Sequence, residues 1–134
     1  MNTAIEQLKI DEGFRGRPYK CTAGKTTIGY GRNLDDNPLT KEEAEYLLKN
    51  DLQKVAKEAT KLGWYADLKP ERRSVIIQMI FNLGLPRFLK FKKTIQAIKD
   101  KDYNTAAIEM LDSKWARQVG QRANRLAEQM RCGI

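Results

Sequence analysis

Seven of the nine residues from Val75 to Leu83 are apolar, and this run constrains the fold more than any other part of the 134-residue chain. Val75, Ile76, Ile77, Met79, Ile80, Phe81 and Leu83 leave a helix with almost no polar face. A helix that is apolar all round is stable only when other elements surround it. Pro70-Glu71 starts the segment, and Gly84 and Pro86 end it. The chain must therefore provide partners to wrap this helix. Periodicity supplies shorter helices near residues 93–99, 104–111 and 122–131, so residues 63–134 read as an all-α lobe.

The first half of the chain reads differently. Residues 3–12 carry Ala4, Ile5, Leu8 and Ile10 at the spacing of a short amphipathic helix, stopped by Gly13. From Phe14 to Gly31 the helical period is lost. Gly13, Gly16, Gly24, Gly29 and Gly31 punctuate a stretch rich in Thr, Tyr and Ile, which predicts a hairpin turning near Thr22-Ala23-Gly24-Lys25. Asp35-Asp36-Asn37-Pro38 is loop chemistry, and Thr40-Lys41-Glu42-Glu43 fits a capping box. Ala44, Leu47, Leu48, Leu52, Val55, Ala56, Ala59 and Leu62 then follow at spacings of three and four. They predict one helix of about 22 residues, roughly 33 Å long. The expected fold is α+β and predominantly helical. It has a small β-hairpin lobe at residues 13–39 and a connecting helix at 40–62. A larger all-α lobe spans 63–134 with helix 3–12 packed on it. All of this forms a single domain with a cleft between the lobes.

Composition narrows the chemistry. The chain contains no histidine, which excludes a Ser-His or Cys-His hydrolase, a His-ligated zinc site and a histidine general base. Two cysteines 111 positions apart define no disulfide framework and suggest a reducing compartment. No apolar run reaches the roughly 18 residues of a membrane span. The first residues show no basic patch followed by an apolar core, so no secretory signal is expected. The formal charge is +8 and uneven: residues 1–62 carry 11 basic and 10 acidic groups, residues 63–134 carry 14 and 7. Such a surplus attracts a polyanion (nucleic acid, an anionic membrane face or an acidic wall polymer) and does not choose among them.

Acid–base work then falls to carboxylates, thiols, tyrosine and lysine. Glu42, Glu43, Glu45 and Asp51 read as a solvated helix face. Glu12 stands apart. It closes its helix, where the macrodipole disfavours an anion, and has Asp11 beside it; both favour the protonated form that a general acid needs. Cys21 and Thr27 follow nine and fifteen residues later on the predicted hairpin, which can aim side chains back at that helix end. Taken alone, Cys21 reads as a small buried hydrophobe and Thr27 as an ordinary strand residue.

Three blocks carry a resemblance: Leu8-Lys9-Ile10-Asp11-Glu12-Gly13-Phe14, Tyr19-Lys20-Cys21-Thr22-Ala23-Gly24 and Thr27-Ile28-Gly29-Tyr30-Gly31. Together they resemble the active-site region of phage lysozymes of the T-even type, glycoside hydrolase family 24. The family pattern is Glu, eight residues, Asp or Cys, five residues, Thr, and Glu12, Cys21 and Thr27 match it. The likeness continues through Leu39–Glu45 and Phe81-Asn82-Leu83-Gly84. It returns at Ser113–Gln118 and at Arg122-Ala123-Asn124-Arg125.

The resemblance implies a lysozyme-like fold and a muramidase cutting the β-1,4 bond between N-acetylmuramic acid and N-acetylglucosamine. Glu12 would be the general acid and Arg122 the arginine that contacts it. Asn33, Phe81 and Thr94 match positions lining the sugar cleft, and Trp115 with Asn82 resembles a cleft-wall pair. Asp11 and Gln78 match buried polar positions. Cys21 departs from the T-even enzyme, whose carboxylate at this position directs water to the face opposite the leaving group. A neutral thiol with Thr27 would position that water and give inversion, whereas a thiolate would open a retaining, covalent route. No cofactor or metal is implied. The expected partner is bacterial peptidoglycan, met by a monomer that neither binds nucleic acid nor inserts stably in a membrane. It would accumulate in the host cytoplasm and reach the wall after a separate protein permeabilises the membrane. Cys132 is expected to be a free thiol. A catalysis-independent cationic protein, disrupting membranes through residues 122–131 or binding walls, is the alternative; a nucleic-acid binder and a sugar-binding relative without turnover are weaker ones.

Overall fold

The computed structural model describes residues 2–134. Its elements run α1 (Asn2–Glu12), β1 (Arg15–Lys20), β2 (Thr26–Gly29), β3 (Arg32–Asn33), α2 (Lys41–Thr60), α3 (Pro70–Leu83), α4 (Leu85–Phe88), α5 (Lys92–Lys99), α6 (Tyr103–Leu111), α7 (Lys114–Val119) and α8 (Gln121–Cys132). The fold is α+β and predominantly helical, with one small antiparallel sheet in the order β1-β2-β3. The chain divides into two compact units, one ending at Leu47 and one spanning Leu48–Ile134.

In the first unit the expected hairpin gains a third, two-residue strand. Cys21 N–H donates to the Lys25 carbonyl (2.9 Å) and Gly24 N–H to the Cys21 carbonyl (2.8 Å), closing the turn where glycine was expected to place it. Tyr19 pairs with Thr27 and Thr27 with Asn33, so these three side chains share one face of the sheet. Thr40 and Glu43 form the reciprocal cap: Glu43 N–H donates to Thr40 Oγ1 (3.1 Å) and Thr40 N–H to Glu43 Oε1 (2.9 Å).

Glu43 also corrects its reading as a solvated carboxylate. Arg32 donates to both its oxygens, Nη1 to Oε2 at 2.7 Å and Nη2 to Oε1 at 2.9 Å. The same guanidinium reaches the carbonyls of Asn37 (2.7 Å) and Pro38 (2.8 Å). This bidentate fork draws the end of the sheet, the loop and the first turn of α2 together, and it holds the Glu43 carboxyl down at about 2, below its ordinary 4.5. Backbone hydrogen bonding at Thr40 adds to the effect.

The second unit is organised around α3. Val75, Ile76, Met79 and Ile80 are at most 1% exposed. Phe88 and Met110, Ala106, Leu126 and Met130 of α4, α6 and α8 pack in the same core. The rings of Trp64, Phe88, Phe91 and Trp115 run through it with successive centroids 6.2–6.4 Å apart. The expectation of burial all round fails at Phe81 and Asn82, which face solvent; Phe81 is 43% exposed. Helices α5, α6 and α8 lie within one residue of their expected ends. Helices α4 and α7 were not foreseen, because four and six residues are too few to display a period. Ser113 caps α7 by accepting from Ala116 N–H, and Gly120 ends it.

Candidate functional site

Glu12 is the last residue of α1, and Gly13, at φ +69°, turns the chain out of the helix while its N–H caps the Lys9 carbonyl (3.0 Å). The Glu12 carboxyl then lies against Gly31 in the turn between β2 and β3. A Cβ on Gly31 would sit 2.8 Å from Glu12 Oε2 and 3.0 Å from Cδ, and Gly31 has φ +79°. The positive φ favours glycine, and any larger residue there would push the Glu12 carboxyl aside. Around this contact the Phe14 and Tyr30 rings lie 5.7 Å apart, and Lys9 Nζ sits 6.0 Å from the Tyr30 ring. The acidic side chain thus projects from a helix end latched to a glycine turn, and it is solvent-exposed.

Cys21 and Thr27 stand at the other end of the same sheet. The Cys21 sulfur faces the backbone N–H of Lys25 and that of Ala23, which hold its pKa below the ordinary thiol value; desolvation opposes them and the Thr27 hydroxyl adds to the lowering. The Thr27 side chain is 3% exposed, and its hydroxyl donates to the Lys25 carbonyl at 3.0 Å. Asn33, across the ladder from Thr27, donates Nδ2–H to Asp36 Oδ2 (2.9 Å) and accepts from Asp36 N–H (3.1 Å), which fixes its amide.

The remaining expected residues, Asp11 apart, belong to the second unit. Trp115, 3% exposed, donates its indole N–H to Asn82 Oδ1 at 2.9 Å, joining α7 to the exposed end of α3 beside Phe81. Thr94 is 2% exposed on α5. Leu83, Phe91, Thr94 and Trp115 form the floor of a hollow of about 480 Å³. Its rim carries Arg87, Lys90, Lys92, Lys93 and Lys114 against Glu109 and Asp112. Lys92 and Lys93 occupy the first turn of α5, where the helix dipole is also positive. Arg122 is half-buried near the start of α8. Gln78 donates to Ser74 Oγ at 3.1 Å and is half-buried, while Asp11 is exposed. Among the described residues no group of three His, Cys, Asp or Glu side chains could hold a metal ion.

The contact of Gly31 with Glu12 escaped the sequence reading, although the Gly-Tyr-Gly run after the threonines was its signal. The basic rim escaped too, because its residues come from four separate segments between Leu83 and Trp115.

Comparison with known proteins decides the family, since phage lysozyme matches residues 9–131. The chain belongs to the phage lysozyme family. It is a lysozyme, a peptidoglycan-hydrolysing enzyme. It is 29% identical to the probable T4-type lysozyme 2 of Dictyostelium discoideum, with 90% of this chain and 89% of that one aligned. It is 30% identical to an endolysin of Acyrthosiphon pisum secondary endosymbiont phage 1, over 82% of this chain and 75% of that one. An endolysin of Salmonella phage P22 shares 30% identity over 79% and 77%. In this lysozyme the matched region contains Glu12, Gly31, the Cys21–Thr27 pair and the Trp115–Asn82 bond. No helix among the described residues is long and apolar enough to cross a membrane.

Proposed function

We propose that this lysozyme cleaves the β-1,4 bond between N-acetylmuramic acid and N-acetylglucosamine, with Glu12 protonating the glycosidic oxygen. The observation that carries this reading is the Glu12 carboxyl held against Gly31, on the sheet whose other end pairs Cys21 with Thr27. A general acid must be held within reach of its substrate oxygen, and the glycine turn leaves room beside the carboxyl that any side chain would fill. Cys21 and Thr27 position the attacking water, so the product is the inverted anomer. Asn33 of the first unit contacts sugar, as do Phe81, Asn82, Thr94 and Trp115 of the second, and Arg122 has a supporting role in catalysis. The enzyme acts as a monomer on peptidoglycan. The endolysins among its relatives support a route from the host cytoplasm to the wall after a separate protein permeabilises the membrane.

Glu12→Gln tests the reading: reducing-end release from purified peptidoglycan should fall about 10²- to 10⁴-fold while the circular dichroism spectrum is unchanged. Retention of full activity would overturn it. Cys21→Ser should keep appreciable activity, whereas near-total loss together with a trappable glycosyl-thiol adduct would replace water positioning by the covalent route. The membrane-disrupting alternative has little to draw on. Ala123, Leu126, Ala127 and Met130, the apolar face of α8, are buried in the core of the second unit.

A further inference from the structure

A second hollow, of about 760 Å³, opens on the second unit between the α2–α3 connection and one face of α5. Trp64 and Leu89 provide its apolar wall, and Lys61, Lys92 and Lys99 surround it with Asp67 as the single acid. Lys92 and Lys99 are seven residues apart on α5 and so stand on one face, two turns apart along its axis. The Trp64 indole is half-buried and backed by the fully buried Phe88 ring at 6.3 Å, which fixes its plane. A rigid aromatic face ringed by cations suits a sugar whose apolar C–H face lies on the indole and whose carboxylates reach the ammonium groups. Lys92 lines this hollow and the 480 Å³ one alike, so the two adjoin around the start of α5.

We propose that the second hollow is an extension site for peptidoglycan, with a sugar on the Trp64 face and peptide-stem carboxylates at the lysines, beyond the sugars held in the first hollow. The occupant follows from charge complementarity and from this adjacency: a strand in the first hollow continues past Lys92 onto the Trp64 face. The proposal rests on the proposed function for the identity of the polymer and for the sugars in the first hollow.

The test uses Lys61→Glu/Lys99→Glu, two exposed positions away from the first hollow, and Trp64→Ala as a second variant. In a Glu12→Gln background, co-sedimentation with insoluble peptidoglycan at about 0.1 M salt should weaken about tenfold for the charge-reversed protein. With Glu12 intact, KM for the insoluble wall should rise in parallel, while turnover of a short soluble muropeptide tetrasaccharide stays at the parent rate. Unchanged wall binding would overturn the proposal, as would an equal loss on the tetrasaccharide. Equal weakening toward a polyphosphate of matched length would show a general polyanion groove and also overturn it. A parent enzyme that releases no reducing ends breaks the muramidase reading instead, and the sedimentation experiment still reads the second hollow by itself.

Discussion

The two units are held by different forces. Beyond Leu47 the chain buries twenty-one apolar side chains in one core, from Val55 to Met130. Up to Leu47, Thr27 is the only residue among those described that is fully buried, and Ile5, Leu8, Ile10 and Phe14 all stay exposed. That unit relies on directional contacts: the Arg32–Glu43 fork, the Thr40–Glu43 cap and the short ladder of β2. Apolar burial tolerates imprecise geometry and yields stability in proportion to area. Hydrogen bonds at a wet surface contribute less but define angles. The proposed acid, thiol and hydroxyl all sit in the unit that defines angles, while the ring-backed hollows belong to the unit with the core.

The largest effect that could break this contrast is a cavity in the second unit. Phe88→Ala removes a side chain with no exposure from between Trp64 and Phe91, and it should cost about 3–5 kcal/mol in denaturant unfolding. A cost below about 1 kcal/mol would mean that the core is not what stabilises this unit.

Arg32→Ala should act locally. Amide exchange in the sheet and at the start of α2 should accelerate while amides of α3 and α8 keep their protection. Uniform acceleration across both units would show that the fork supports the whole molecule. The pH dependence sharpens the same point. Because the folded Glu43 carboxyl is held at about 2, below its ordinary 4.5, the contribution of the fork is complete above pH 4.5. It is lost as pH falls from 4.5 toward 2. Acid should therefore loosen the first unit through this window, and Arg32→Ala should shrink that response, as followed by NMR, to the part that the Thr40 cap supplies.

The smallest effect compares the two free thiols, one in each unit. Cys21 is lowered by N–H donors of its turn, first that of Lys25, whereas Cys132 is raised, first by its hydrogen bond to the Glu128 carboxylate. With rising pH, Cys21 should be alkylated before Cys132. The reverse order, read by mass spectrometry, would show that the turn does not stabilise a thiolate.

Much of this was legible in the residues. Gly24 marks the hairpin turn, Thr40 and Glu43 spell the cap and the 75–83 run announces the central helix, because each depends on neighbours within one turn or one ladder. Spacing and resemblance nominated Glu12, Cys21 and Thr27, whose roles are proposals. Glu43 shows the limit: its capping role was visible at three residues' distance, and its bond to Arg32, eleven residues away, was not.

The amino-acid order alone determined where the longer helices lie, which half is basic and which side chains are chemically able to move a proton. Those properties follow from dihedral preference, periodicity and side-chain chemistry, all of them local. Tertiary structure alone decided that the Glu12 carboxyl lies on Gly31, and it set the Trp115–Asn82 pair suggested by resemblance as an indole N–H donating to Asn82 Oδ1. It also decided that Arg72, a cation inside an apolar helix, is buried with Nε on the Met130 carbonyl (2.7 Å) and its guanidinium 3.6 Å from the Tyr103 ring. The physical reason is distance in space. Hydrogen bonds and close contacts are decided within a few ångströms, and only the folded chain brings residues so far apart in sequence within that range.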